Sequence, residues 1–168
     1  MGEMMSAYKE NLVKKETEDH INQVKSLIEL LLAELNYRAE THDQSKLESS
    51  EFQSIVKYTP LLKQTTYGSD EYRQLLKKMK PAIDHHYSVN KHHPEHFHEE
   101  GINGMNLVDL IEMVCDWKAA TLRHNDGNID RSIAINKERF NLSLQMVHVI
   151  KNTMLLLEEL SSENIEKA

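Results

Sequence analysis

Met105-Asn-Leu-Val-Asp109-Leu-Ile-Glu112-Met-Val-Cys115-Asp116-Trp117-Lys-Ala-Ala-Thr-Leu-Arg123 is the stretch on which the fold turns. Placed on a helix of ~3.6 residues per turn, Asp109, Glu112 and Asp116 share one narrow arc with Arg123. Leu107, Val108, Leu110, Ile111, Met113, Val114, Trp117 and Ala119 fill nearly all the rest. A helix apolar almost all round is a buried helix. Its acidic arc is then either a thin solvent-facing strip or a set of carboxylates aimed at an internal polar site. Buried carboxylates persist when they are paired or bound to metal. Cys115 lies away from the acidic arc, which argues against it as ligand or nucleophile.

The rest of the chain extends the helical reading. Its 168 residues include five Gly, three Pro and a single Trp, a mix that favours helices over a sheet. Thr17, His20, Val24, Leu27, Leu31 and Leu35 recur at three- and four-residue steps, which predicts a helix over 17–38 with His20 on its apolar arc. A polar break, Ala39–Lys46, precedes a short helix expected from Glu48 to Tyr58, ending before Pro60. After the turn Thr66–Asp70, a helix capped by Ser69 or Asp70 carries Tyr72, Leu75, Leu76, Met79, Ile83 and His86 on one side. Pro81 predicts a kink or a new start within it. Two helices, Asn106–Arg123 and Asp130–Leu160, close the chain. The expectation is one all-α domain over 1–168, a compact single-domain bundle of five to seven helices with residues 1–12 as a flexible lead-in.

Six of the ten histidines fall within residues 85–98: His85, His86, His92, His93, His96 and His98. No packing role needs that density of imidazole, the side chain that both binds transition metals and titrates near neutrality. The bland alternative is a solvated histidine tract. Between neighbours, the apolar face selects His86 over His85. Of His92 and His93, which precede Pro94, one turns inward, and the pattern does not say which. His96 and His98 read as supporting or solvated, and His124 and His148 as structural. Tyr67 and Tyr72 either line a pocket or pack. His42-Asp43 is the strongest pair, against the alternative that Asp43 caps the following helix.

The formal net charge of −7 argues against long nucleic acid or an anionic membrane as partner. A single cysteine excludes an intrachain disulfide, and no apolar signal segment follows Met1. Both features predict a cytoplasmic protein. The run Met154–Leu157 suits either the core or the seam of a homodimer.

With these residues assembled, His20, His42-Asp43 and Asp116 resemble, in order, the ligands of the HD superfamily of metal-dependent phosphohydrolases. Members with two metals place further histidines between the pair and the last Asp, where His86, His92 and His93 stand. His42-Asp-Gln-Ser-Lys46 is similar to the His-Asp-x-Gly-Lys form of the cyclic-dinucleotide phosphodiesterases, although the Gly-Tyr-Pro signature of that branch is absent. Over most of its length the chain also resembles an uncharacterised family of phage and bacterial proteins. That likeness is carried by His42–Lys46, Tyr67–Tyr72, Asn90–His96 and Glu112–Trp117.

The HD resemblance implies an HD-domain-like fold. It implies one or two divalent transition metals (Mn, Fe, Co, Ni or Zn) on His20, His42, Asp43, His86, His92, His93 and Asp116. The implied function is hydrolysis of a small phosphate ester, a nucleotide foremost, by metal-activated water. Asp43, Lys46 and Glu112 are then the candidate catalytic groups, Lys46 and Arg123 the phosphate binders, and Glu95 or Glu112 a proton relay. Two rivals are a di-iron oxygenase and a non-catalytic, metal-stabilised interaction protein of phage origin.

Overall fold

The structure, a computed structural model, describes residues 2–65, 69–122 and 127–166. Among them there are six α-helices, two 3-10 segments and no strand, so the fold is all-α. No described helix is long and apolar enough to cross a membrane. The chain divides into two units, Met1–Glu40 and Thr41–Ala168.

The first unit is the greater part of one helix, α1 (Gly2–Thr41), which extends beyond the expected 17–38 at both ends. Lys14–Glu18 and Lys25–Glu29 pair one turn apart on its surface, each contributing a few tenths of a kcal/mol. Val24, Leu27 and Leu31 are exposed on it.

The second unit holds α2 (Ser49–Leu62), α3 (Asp70–Val89), α4 (Leu107–Leu122), α5 (Ile129–Phe140) and α6 (Leu144–Glu166), with 3-10 segments at Gln44–Leu47 and Pro94–Gly104. The α2 and α3 helices pack together with the first 3-10 segment against both, while α4, α5 and α6 pack on one another. Pro94–Gly104 bridges α3 and α5. Met113 and Val114 of α4, Ile133 of α5 and Val147, Ile150 and Met154 of α6 make the core, closed by Leu142. Trp117 and Phe140 stack at its edge with ring centroids 6.3 Å apart.

Three boundaries differ from expectation. Helix α2 runs through Pro60 to Leu62. Proline removes one donor and crowds the carbonyl one turn earlier, and here the helix ends two residues beyond it. Helix α3 likewise passes through Pro81 as one element. The expected helix Asp130–Leu160 is instead two. Asn141 adopts the left-handed conformation (φ 49°) and closes α5 through its N–H to the Lys137 carbonyl, a role asparagine tolerates. Ser143 Oγ then accepts from Met146 N at 3.1 Å and opens α6.

The acidic arc of α4 also divides. Asp109, almost fully buried, is used at the helix start. Its Oδ2 accepts from Asn106 N, and Asn106 Oδ1 accepts from the Val108 and Asp109 amides. Glu112 and Asp116 lie one and two turns further along, free of that capping role.

Candidate metal centre

Asp43 occupies the residue just before the 3-10 segment Gln44–Leu47, but its side chain makes no capping bond there. Its left-handed backbone (φ 57°), a conformation asparagine and aspartate adopt more readily than most residues, turns the carboxylate inward instead. Around it gather His42 from the end of α1's chain segment, His86 from α3, His92 and His93 from the loop before Pro94, and Asp116 from α4. Three overlapping donor groups form: Asp43 with His86, His92 and His93; His42 with Asp43 and Asp116; and His42 with His92 and Glu112.

The orientation of the rings is set by two further carboxylates. Glu112 Oε1 accepts from His42 Nδ1 at 2.8 Å and from His92 Nδ1 at 3.0 Å. Glu51, 1% exposed on α2, accepts from His86 Nδ1 at 3.0 Å through Oε2 and from His85 Nδ1 at 2.7 Å through Oε1. An ionised carboxylate only accepts, so each of these Nδ1 atoms carries a proton, and whenever the ring is neutral its Nε2 is the lone pair. The Nε2 atoms of His86 and His92 then face Asp43 Oδ1 at 3.3 and 3.5 Å, and that of His42 faces Asp43 Oδ2 at 3.4 Å. His93 Nε2 meets His86 Nε2 at 2.9 Å.

These separations fit a metal ion. Two ligands each ~2.1 Å from one ion lie about 3.4 Å apart at a tetrahedral angle and about 3.0 Å at a right angle. Asp43 Oδ1 and His92 Nε2 are also buried with no hydrogen-bond partner among the described residues. Such orphaned atoms carry a desolvation cost of about 1–3 kcal/mol each, which a cation between them would offset. The contacts of Glu112, by contrast, are at ordinary hydrogen-bond length. They suit the outer carboxylate of a carboxylate–histidine–metal arrangement better than a direct ligand.

The charges reinforce one another. The Asp116 carboxylate, 3.8 Å from Nε2, and then those of Asp43 and Glu112 raise the His42 pKa to about 11. Burial alone would lift the Asp43 carboxyl, but the neighbouring His42 and His92 rings and the bond from Lys46 outweigh it and hold the group far below the usual carboxylate range. Asp116 moves down as well, burial being outweighed chiefly by His42. His92 moves up because the Asp43 and Glu112 carboxylates beside it outweigh burial. Burial, then Lys46, pushes His86 down. Burial and the neighbouring His92 and His86 push His93 to about 3.

The structure thus brings together His42, Asp43, His86, His92, His93, Glu112 and Asp116. Both His92 and His93 turn toward the cluster. Lys46 donates a short bond to Asp43 Oδ2. His20 belongs to the Met1–Glu40 unit and is exposed. Arg123, Tyr67 and His124 lie outside the described residues. Glu95 Oε1 accepts from Arg139 at 2.5 Å, while its Oε2 is buried with no hydrogen-bond partner among the described residues, and His96 Nδ1 donates to the Tyr87 carbonyl at 3.2 Å. Cys115 is exposed. Sequence reasoning missed Glu51. The available signal was a carboxylate on the arc of α2 shared with Ile55, Tyr58 and Leu62, the side that the helix turns away from water. Ser45 and Asn90 were missed too, although Ser45 Oγ accepts from Asn90 Nδ2 at 2.8 Å and both lie against His86 Nδ1.

No curated protein and no solved structure matches the chain. The model of one family, DUF5662, matches residues 9–162, nearly the whole length and every residue of the cluster. The chain belongs to DUF5662, a family of unknown function.

Proposed function

We propose that the protein is a metal-dependent phosphohydrolase with a two-ion centre, acting on a nucleotide or another small phosphate ester. One observation carries the reading: three imidazoles have Nδ1 tied to the Glu112 and Glu51 carboxylates and Nε2 turned toward Asp43, whose Oδ1 has no hydrogen-bond partner among the described residues. Asp43, His86, His92 and His93 would hold one ion, and His42, Asp43 and Asp116 the other. Imidazole with carboxylate suits Mn, Fe, Co, Ni or Zn. A divalent ion there supplies Lewis acidity and a water of lowered pKa.

The chain's own groups do the rest. Glu112 and Glu51 keep the Nδ1 protons in place, so the Nε2 lone pairs stay aimed inward. Lys46, held against Asp43 and 39% exposed, presents an ammonium to an arriving phosphate. Beyond His93, Tyr87 packs at 4.8 Å between ring centroids and its hydroxyl accepts from Arg139. Arg139, Glu95, His98 and Phe140 line a cavity of about 630 Å³, within the range that holds a nucleotide-sized ligand. The order His42-Asp43, His86, His92-His93, Asp116 resembles that of the HD superfamily and supports the same chemistry, although His20, the first residue of that order, is in none of the donor groups.

Metal content of tag-free protein, with the His42→Ala and Asp43→Ala variants, tests the reading alongside a phosphate-ester screen in Mn and Co. Two ions, depleted in both variants while helicity persists, with metal-dependent phosphate release, are expected. Stoichiometric iron with oxygen consumption would move the protein to the oxygenases. Tightly held metal without turnover would make the site structural.

A further inference from the structure

Two carboxylates serve both ion positions. Asp43 does so directly, one oxygen toward His86 and His92 and the other toward His42. Glu112 does so through the rings. A single oxygen, Oε1, accepts from His42, which belongs to the Asp43–Asp116 group, and from His92, which belongs to the Asp43–His86–His93 group. The two rings lie 4.5 Å apart at 42°. Glu51 makes no such bridge, since its second partner is His85, outside every donor group.

We infer that Glu112 couples the two positions energetically, so that an ion in either one raises the affinity of the other. The inference rests on the two-ion reading above. An ion on His42 Nε2 fixes that ring, and its Nδ1–H then fixes Glu112 Oε1. The carboxylate is thereby held where it orients His92 before a second ion arrives. Ordering a side chain has an entropic cost, and the second ion meets a ring already ordered. Linkage makes the effect equal in both directions. Outer carboxylates of metal-bound histidines change affinity by about 10–100-fold, which bounds the coupling from above. Direct repulsion between the ions opposes it, and the Asp43 carboxylate between them reduces that repulsion. Glu112 therefore carries the part of the coupling that a substitution can remove without taking away a ligand.

The test is a double-mutant cycle on the full chain with Zn²⁺ as the probe, read by chelator competition and by native mass spectrometry of ion number. Asp116→Ala disables the position that uses Asp116. In the otherwise wild-type chain it should lower Zn²⁺ affinity at the Asp43–His86–His93 position about fivefold or more, although Asp116 is not a donor there. In a Glu112→Ala background the same substitution should change that affinity less than about twofold, or raise it by relieving repulsion. Glu112→Gln, which keeps the volume and one acceptor, serves if the alanine variant loses helicity. An equal effect of Asp116→Ala in both backgrounds overturns the coupling while leaving the metal centre intact. Absence of stoichiometric zinc from the wild-type chain overturns the centre and the coupling together.

Discussion

Removal of Glu51 is the perturbation that most directly separates the two proposed ion positions. Glu51 is a fully buried carboxylate whose Oε2 accepts from His86 Nδ1 at 3.0 Å. His86 is a donor only in the group with His92 and His93. In Glu51→Ala the ring keeps a fallback, because Ser45 Oγ lies 3.2 Å from the same nitrogen. That hydroxyl is neutral, and charge-assisted bonds are roughly twice as strong as neutral ones. The loss should therefore fall in the lower part of the 10–100-fold range for outer partners, about 10–30-fold or ~1.4–2 kcal/mol. The assay is chelator competition with Zn²⁺ in two single-position backgrounds. With Asp116→Ala leaving the His86 position, Glu51→Ala should produce the full loss. With His93→Ala leaving the His42 position, it should shift affinity less than about threefold. Equal losses in both backgrounds would refute the assignment of His86 to one position, and no loss in either would refute the role given to its Nδ1 bond.

Metal affinity should rise with pH. His42 holds its proton up to about 11 in the metal-free protein, so an ion at its Nε2 must displace that proton. His86 and His93, both lowered, are already neutral at pH 7 and release none. Calorimetry in buffers of different ionisation enthalpy should show net proton release, and pH-independent binding would contradict the His42 assignment. Asn141→Val should destabilise the protein by about 1–2 kcal/mol, because a β-branched residue is forced to the left-handed conformation that divides α5 from α6. Asn141→Gly should be near neutral in the same denaturant titration. Ile133→Ala, 2% exposed in the α4–α5–α6 core, should cost about 2–5 kcal/mol without altering ion stoichiometry at temperatures where the protein remains folded.

How much of this could be read from the sequence depends on whether the deciding interaction is local. Helix α4 was legible as a helix because its apolar coverage is a property of consecutive residues. Its burial on all sides was not borne out: Val108, Met113 and Val114 are buried, whereas Leu107, Ile111, Cys115 and Leu122 are exposed. The burial of His86 was legible too, and follows from the spacing of Met79, Ile83 and His86 on α3. The division of α5 from α6 was locally encoded, by Asn141 and Ser143, but hydrophobic periodicity alone runs straight across it. Glu51 is a different case. Its partners are thirty-four and thirty-five residues away, and only the packing of α2 on α3 brings them together. The acidic arc of α4 could be seen, but its division of labour could not. Asp109 caps because Asn106 lies three residues before it, whereas Glu112 faces two histidines from distant segments.

Charge explains why a phosphate ester would need both ions. Asp43, Glu51, Glu112 and Asp116 against Lys46 leave the cluster with three negative charges in excess when every imidazole is neutral. The His42 proton, retained to about 11, reduces the excess to two. A single divalent ion that displaces this proton leaves one negative charge, which repels an anion. A second divalent ion turns the sign to one positive charge, and in a partly desolvated site that sign governs anion affinity more strongly than it would in water. Inorganic phosphate should therefore bind only as the second equivalent of Mn²⁺ is added, with the onset moving to higher metal concentration in Asp116→Ala. Phosphate binding that is complete at one equivalent would mean that Lys46 and the cavity beside Arg139 recruit the anion by themselves, and that the second ion has some other task.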